Sequence, residues 1–146
     1  AGLGLNAAEL DANPRLTHRL VHDLNRRPVL PYAAGAFDAV VCTASVEYLT
    51  HPAAVLAEAA RVLAPGGVCA VTFSNRWFPP RAIRLWGELH PFERLGFVLE
   101  LFRTTGRVQD LATFSSQGWP RPEDDKYYGE ILNADPVFAV WGTRRP

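Results

Sequence analysis

The chain has 146 residues, 48% of them hydrophobic, enough for one core and a single domain, and its 15 basic and 15 acidic side chains leave no net charge. That balance excludes an electrostatic case for nucleic acid or an anionic membrane as partner, and no apolar run approaches the roughly 20 residues needed to span a bilayer. The two cysteines, Cys42 and Cys69, and four histidines without ligand-pair spacing exclude a recognisable metal motif; two lone thiols fit a reducing, cytoplasmic compartment.

In chain order, Ala1-Gly2-Leu3-Gly4-Leu5-Asn6 reads as the end of a strand entering a helix. The sequence has no methionine and opens on the tail of a strand, so the expectation is a chain incomplete at its N-terminus. A lone G-x-G can cradle a phosphate or simply turn the chain after a strand, and without a preceding strand it decides neither. Asn6 and Glu9 have capping-box spacing, and a helix from Ala7 to about Ala12 follows, closed by Pro14. Arg19-Leu20-Val21-His22 is a short strand that ends at Asp23-Leu24-Asn25, and Arg26-Arg27 reads as solvated surface.

Phe37 to Cys42 is a short apolar run with β-branched residues, the pattern of a strand buried on both faces. Thr50 or His51 can cap the next helix, expected over Pro52 to Ala64 with Pro52 in its first turn. Val55, Leu56, Ala59, Val62 and Leu63 form one apolar stripe, which places Glu58 and Arg61 on the wet side. Pro65-Gly66-Gly67 stops that helix, and Val68 to Phe73 is a second buried strand. A parallel βαβ unit accounts for all three pieces.

Beyond it, Ser74-Asn75-Arg76-Trp77-Phe78-Pro79-Pro80 is a turn rich in polar and aromatic groups, placed where substrate contact is common. Ile83, Leu85 and Trp86 mark a short helix. Phe92, Leu95, Val98, Leu99 and Phe102 mark a longer one whose aromatic stripe reads as core, with Gly106 as its end. Arg107 to Phe114 can be a strand, Ser115 to Asp135 is loop-like, and Val137 to Gly142 is the last strand.

Leu30-Pro31-Tyr32, Phe37-Asp38-Ala39-Val40, Glu47-Tyr48-Leu49, Glu58-Ala59-Ala60-Arg61-Val62-Leu63 and Pro65-Gly66-Gly67, in this order and spacing, resemble the middle of a class I S-adenosylmethionine-dependent methyltransferase of the methyltransferase type 11 kind. The resemblance implies an α/β, Rossmann-like sheet, mostly parallel with an antiparallel C-terminal strand. Gly2 to Leu10 can correspond either to the family's second strand and following helix or to its glycine-rich first loop. The interval from Asp23 to Phe37 favours the former. On that alignment the central first strand and its glycine-rich loop are absent, and an open channel is expected between the Ala1 to Leu5 strand and Phe37 to Cys42.

The resemblance also implies S-adenosylmethionine as cofactor, with cofactor-binding candidates Gly4, Asn6, Asp23, Leu24, Asn25, Ser45, Glu47 and Tyr48. Asp23 matches the carboxylate that accepts from the adenine amino group, and Leu24 the apolar residue facing the ring. Gly4 stands where the family has its ribose-binding acid, and Asn6 lies close by. Each has a plainer account: Asp23 can cap loop amides, Asn6 can be only an N-cap, and Glu47-Tyr48 can be an ordinary polar loop. No catalytic residue is identified, since the sulfonium is already an activated methyl donor and alignment is most of the work. The functional expectation is methyl transfer to a small-molecule acceptor, with no nucleic acid, membrane or metal involved. The alternatives are a non-catalytic methyltransferase-like binding module or truncated remnant and, less well matched, a nicotinamide-dependent Rossmann enzyme.

Overall fold

The apolar stripe of the central helix is buried along its length. Val55, Leu56, Ala59 and Val62 lie on α2 (Pro52–Val62), and they and Leu63 are enclosed in the computed structural model, which describes residues 1–146. Pro52 occupies the first turn, where a missing N–H is harmless, and His51 precedes it without a side-chain capping bond. α2 is the crossover between β3 (Phe37–Thr43) and β4 (Leu63–Phe73), which pair in parallel from Ala39 opposite Val68 to Thr43 opposite Thr72.

The helix ends two residues earlier than expected, and extended backbone begins at Leu63. Pro65-Gly66-Gly67 therefore falls inside the span of β4, where the register with β3 shifts between Phe37 and Ala39. Gly66 has φ +79, and a Cβ on Gly67 would lie 2.9 Å from the carbonyl oxygens of both Ala64 and Asp38. Only glycines fit this turn without displacing backbone.

α3 (Arg84–Glu88) and α4 (Pro91–Thr104) follow, then β5 (Val108–Ser116) and β6 (Val137–Arg144). β6 pairs antiparallel with both β4 and β5, giving the order β3-β4-β6-β5. Three strands thus run one way and β6 alone opposes them, which bears out the α/β Rossmann-like expectation with its antiparallel C-terminal strand.

One face of this sheet carries the core. Cys69, Val71, Phe73, Phe138 and Val140 pack with residues of α2, α3 and α4, and Phe73 lies edge-on to Trp86 at 5.0 Å and stacked with Phe138 at 5.5 Å. The other face has no helix over it: Val41, Val68, Phe114 and Val137 are all exposed, Val41 at 65%. This corrects the expectation that Phe37 to Cys42 is buried on both faces. Its apolar run faces α2 on one side and an open surface on the other. A second correction concerns the aromatic stripe of α4. Val98 and Phe102 are buried, but Phe92, in the first turn, is 84% exposed because it precedes the turns that reach the sheet.

The N-terminal residues form a separate two-stranded parallel sheet, β1 (Gly2–Gly4) with β2 (Arg19–Val21), joined by α1 (Ala7–Asp11). Asn6 caps α1 in a variant of the expected box: Oδ1 accepts from the Ala8 N–H at 3.0 Å, and Nδ2 donates to Glu9 Oε1 at 3.0 Å. No strand pairing joins β1 to β3. Between them runs a cleft of about 410 Å³, with Ala1, Gly2 and Leu3 on one side, Val40, Val41 and Cys42 on the other, and Val55, Leu56 and Ala59 of α2 behind. It occupies the place where an open channel was expected.

Candidate functional site

β3 ends at Thr43, and the next residue, Ala44, takes a left-handed φ of +46 that turns the chain sharply into a 3₁₀ turn, Val46–Tyr48. A non-glycine residue there stores backbone strain, which recurs at functional edges. The Ala44 N–H still donates to Thr72 O at 2.8 Å, and Ser45 Oγ donates to Thr43 O at 2.7 Å, so the turn is held at both ends of the strand pair.

A cleft of about 430 Å³ opens beside this turn. Its walls come largely from the ends of three strands and the segments that follow them: Gly4 at the end of β1 with Leu5 and Asn6 after it, His22 to Asn25 after β2, and Ser45, Tyr48 and Leu49 after β3. All the candidates read from the sequence except Glu47 therefore meet in one place. Leu3 and Ser45 line both clefts, so the two adjoin.

The polar groups of this cleft differ in how far they are engaged. Asp23 Oδ1 accepts from the Asn25 N–H at 2.9 Å and the Arg26 N–H at 3.3 Å, the capping role that its position allows. Asp23 Oδ2 has only Arg26, at 3.6 Å and with a guanidinium that is mostly exposed. The Asn25 amide is engaged with protein: Nδ2 donates one of its two hydrogens to Tyr48 O at 2.9 Å, and Oδ1 accepts from both the Thr50 N–H at 2.8 Å and Thr50 Oγ1 at 3.1 Å. Tyr48 Oη accepts from the Phe78 N–H at 3.1 Å, and Glu47 O accepts from the Ile83 N–H at 2.9 Å. The 3₁₀ turn is thus gripped by the loop after β2 on one side and by the segment after β4 on the other.

Glu47 points away from the cleft and is 1% exposed, with Oε2 unpartnered. Burial pushes its carboxyl above the usual range, while its own backbone N–H and the cationic Arg94 pull the other way. Arg94 is itself buried in α4, donates to Trp86 O at 3.1 Å and lies over the rings of Trp77 and Trp86. Burial likewise pushes the Cys42 and Cys69 thiols up to about 11 and about 12, so neither is a thiolate nucleophile at neutral pH.

Sequence reasoning missed three features. Glu58 and Arg61 are not on the wet side: they form a half-buried pair at 2.8 Å, with Glu58 accepting from the Leu30 N–H and Arg61 donating to the carbonyls of Leu30 and Tyr32. This clamp fixes the loop before β3 to α2. Arg121 is buried between Asp125 and Asp135, each at 3.0 Å, and organises the segment between β5 and β6; the acid-rich run around a lone arginine was the only signal for it. Arg76 reaches Asp135 at 3.1 Å, tying that segment to the one after β4.

Residues 4–71 match a family model described as methyltransferase domain. Ubiquinone biosynthesis O-methyltransferases of Psychrobacter cryohalolentis and Psychrobacter arcticus are 44% identical over 43 residues, which is 30% of this chain and 17% of theirs. A SAM-dependent methyltransferase from Archaeoglobus fulgidus superposes with a TM-score of 0.64 at 13% identity, covering 97% of this chain and 74% of that one. A putative methyltransferase from Haloferax volcanii, solved with the Trm112 methyltransferase activator, gives 0.62 at 18% identity, covering 99% and 71%. No helix of the chain is long and apolar enough to cross a membrane.

Proposed function

We propose that this chain is part of a class I S-adenosylmethionine-dependent methyltransferase and carries the adenosine side of the cofactor site of an enzyme that methylates a small-molecule acceptor. The observation that supports this is the convergence, in one 430 Å³ cleft, of the segments following three successive strands. Asp23 offers Oδ2 to the adenine amino group, Leu24 lies against the ring, and Gly4 and Asn6 border the ribose. Ser45 and Tyr48 border the methionine end. Glu47 supports the turn from behind, since its side chain is sealed from the cleft.

Bound S-adenosylmethionine supplies a methyl group already activated on a positively charged sulfur. The chain's own contribution is to hold the nucleoside and align the acceptor. The acceptor side is formed by the segment after β4, with Trp77 and Phe78, and by the segment that Arg121 organises. Neutral overall charge suits an uncharged small acceptor better than a nucleic acid.

A non-catalytic binding module is the second reading. It is favoured by the fact that the titratable side chains Glu9, His22 and Asp23 in the cleft are all already hydrogen-bonded. Calorimetric titration with S-adenosylmethionine tests the proposal. Asp23→Ala should weaken binding by about 1 to 3 kcal/mol, the cost of losing one partner of a charge-assisted hydrogen bond. Equal binding by wild type and variant would remove Asp23 from the site.

A further inference from the structure

We propose that Asn25 is a positioning residue that sets the width of the adenosine cleft by tying the loop after β2 to the 3₁₀ turn after β3, rather than a residue that contacts the ligand. The proposal rests on the reading of the 430 Å³ cleft as an adenosine site. Its basis is a census of hydrogen bonds. Between residues 1–29 and the remainder of the chain, the side chain of Asn25 makes every one: to Tyr48 O, to the Thr50 N–H and to Thr50 Oγ1. No ladder bond joins β1 or β2 to β3, and no ion pair crosses the same seam.

The seam is also thinly packed, since Leu10 is the only buried residue before Val46. Apolar contact alone therefore holds the two walls loosely, and the Asn25 amide decides how far Asp23 and Leu24 stand from Ser45 and Tyr48. The turn it grips does not yield, because Phe78 and Ile83 anchor it from the other side. Both lone pairs of Oδ1 are used, so the amide oxygen has no acceptor capacity left for a ligand.

The test uses adenosine as probe, titrated into the 146-residue chain and followed by amide chemical shifts in two-dimensional NMR. In wild type, Asp23 and Leu24 amides should shift. Asn25→Ala should lower adenosine affinity by about tenfold, and Asn25→Asp, which keeps the acceptor for Thr50 but loses the donor to Tyr48 O, by less. Thr50→Val is the decisive variant because Thr50 does not line the cleft; it should lower affinity by about two- to threefold through the lost bond to Asn25 Oδ1. Thr50→Val at wild-type affinity beside a weakened Asn25→Ala would show that Asn25 touches the ligand directly, and would overturn the proposal. Wild-type affinity in Asn25→Ala would overturn it as well. If wild type itself shows no adenosine shifts, the adenosine reading of the cleft fails and this proposal fails with it, a result distinct from the other two. Should Asn25→Ala unfold the N-terminal segment, Asn25→Asp and Thr50→Val still decide.

Discussion

Residues 1–29 and the four-stranded sheet with its helices are built on different physics. The sheet shares a continuous core of 15 buried residues, which begins at Val46 and runs through Val140. The N-terminal segment contributes none of them; it buries Leu10 and is held to the rest by the side-chain amide of one asparagine. Yet Gly4, Asn6, Asp23, Leu24 and Asn25 all lie in it, while the rest of the chain supplies only Ser45, Tyr48 and Leu49 to the same cleft. Most of the proposed ligand site and most of the buried core thus reside in separate parts of the chain. Regions that open at low free energy are where binding elements commonly lie, and ligand binding is what secures them.

The largest expected effect separates the two regions directly. Trp86→Ala, at a fully buried site against Phe73, should cost about 3 to 5 kcal/mol in urea unfolding followed by fluorescence. Leu10→Ala should move the same main transition by no more than about 0.5 kcal/mol, the range of substitutions outside the core, and act on the exchange of α1 and β2 amides instead. A global loss from Leu10→Ala as large as that from Trp86→Ala would break the comparison.

A smaller effect contrasts two carboxyl groups, Glu47 in the 3₁₀ turn before α2 and Glu58 on α2 itself. Burial holds Glu47 above the usual carboxylate range, so its contribution to stability is full at acid pH and is lost as pH rises through its folded pKa. Glu58 is held below that range, first by its hydrogen bond with Arg61 and further by the Leu30 N–H; its contribution is present at neutral pH and lost as pH falls through its folded pKa. Denaturation between about pH 3 and 7 should therefore show Glu47→Gln gaining on wild type toward neutrality and Glu58→Gln gaining on it toward acid. The same sign for both variants would refute the assigned environments.

Much of the fold was readable because it is written in local periodicity. The α2 stripe, the two flanking runs and Val137 to Gly142 each carry their own pattern, and each is an element in the structure. What was not readable depends on residues far apart in the chain. An apolar run like Phe37 to Cys42 cannot say whether a second layer covers its other face, and here none does. Glu58 and Arg61 look like an exposed helical pair until the Leu30 and Tyr32 backbone arrives beside them.

The candidate site follows the same division. Strand ends located the convergence of Gly4, Asn6, Asp23, Leu24, Asn25, Ser45 and Tyr48, since residues at one edge of a parallel fold are brought together by topology. Side-chain direction within the turn was not accessible. Glu47 and Tyr48 are adjacent in sequence, but the left-handed backbone at Ala44 and the tight turn after it send Glu47 into the interior and leave Tyr48 at the cleft.

Native-state hydrogen exchange with and without S-adenosylhomocysteine, the demethylated cofactor product, tests most directly the claim that the ligand cleft spans the seam between a weakly anchored segment and a stable sheet. Without ligand, the amides of Gly2 and His22, which bond to His18 O and Gly4 O, should exchange well before those of Cys69 and Val71 in β4. Saturating ligand should slow the first pair by roughly the factor expected from linkage and leave the second pair unchanged. Equal exchange of both pairs without ligand, or a ligand effect confined to the sheet, would contradict the account.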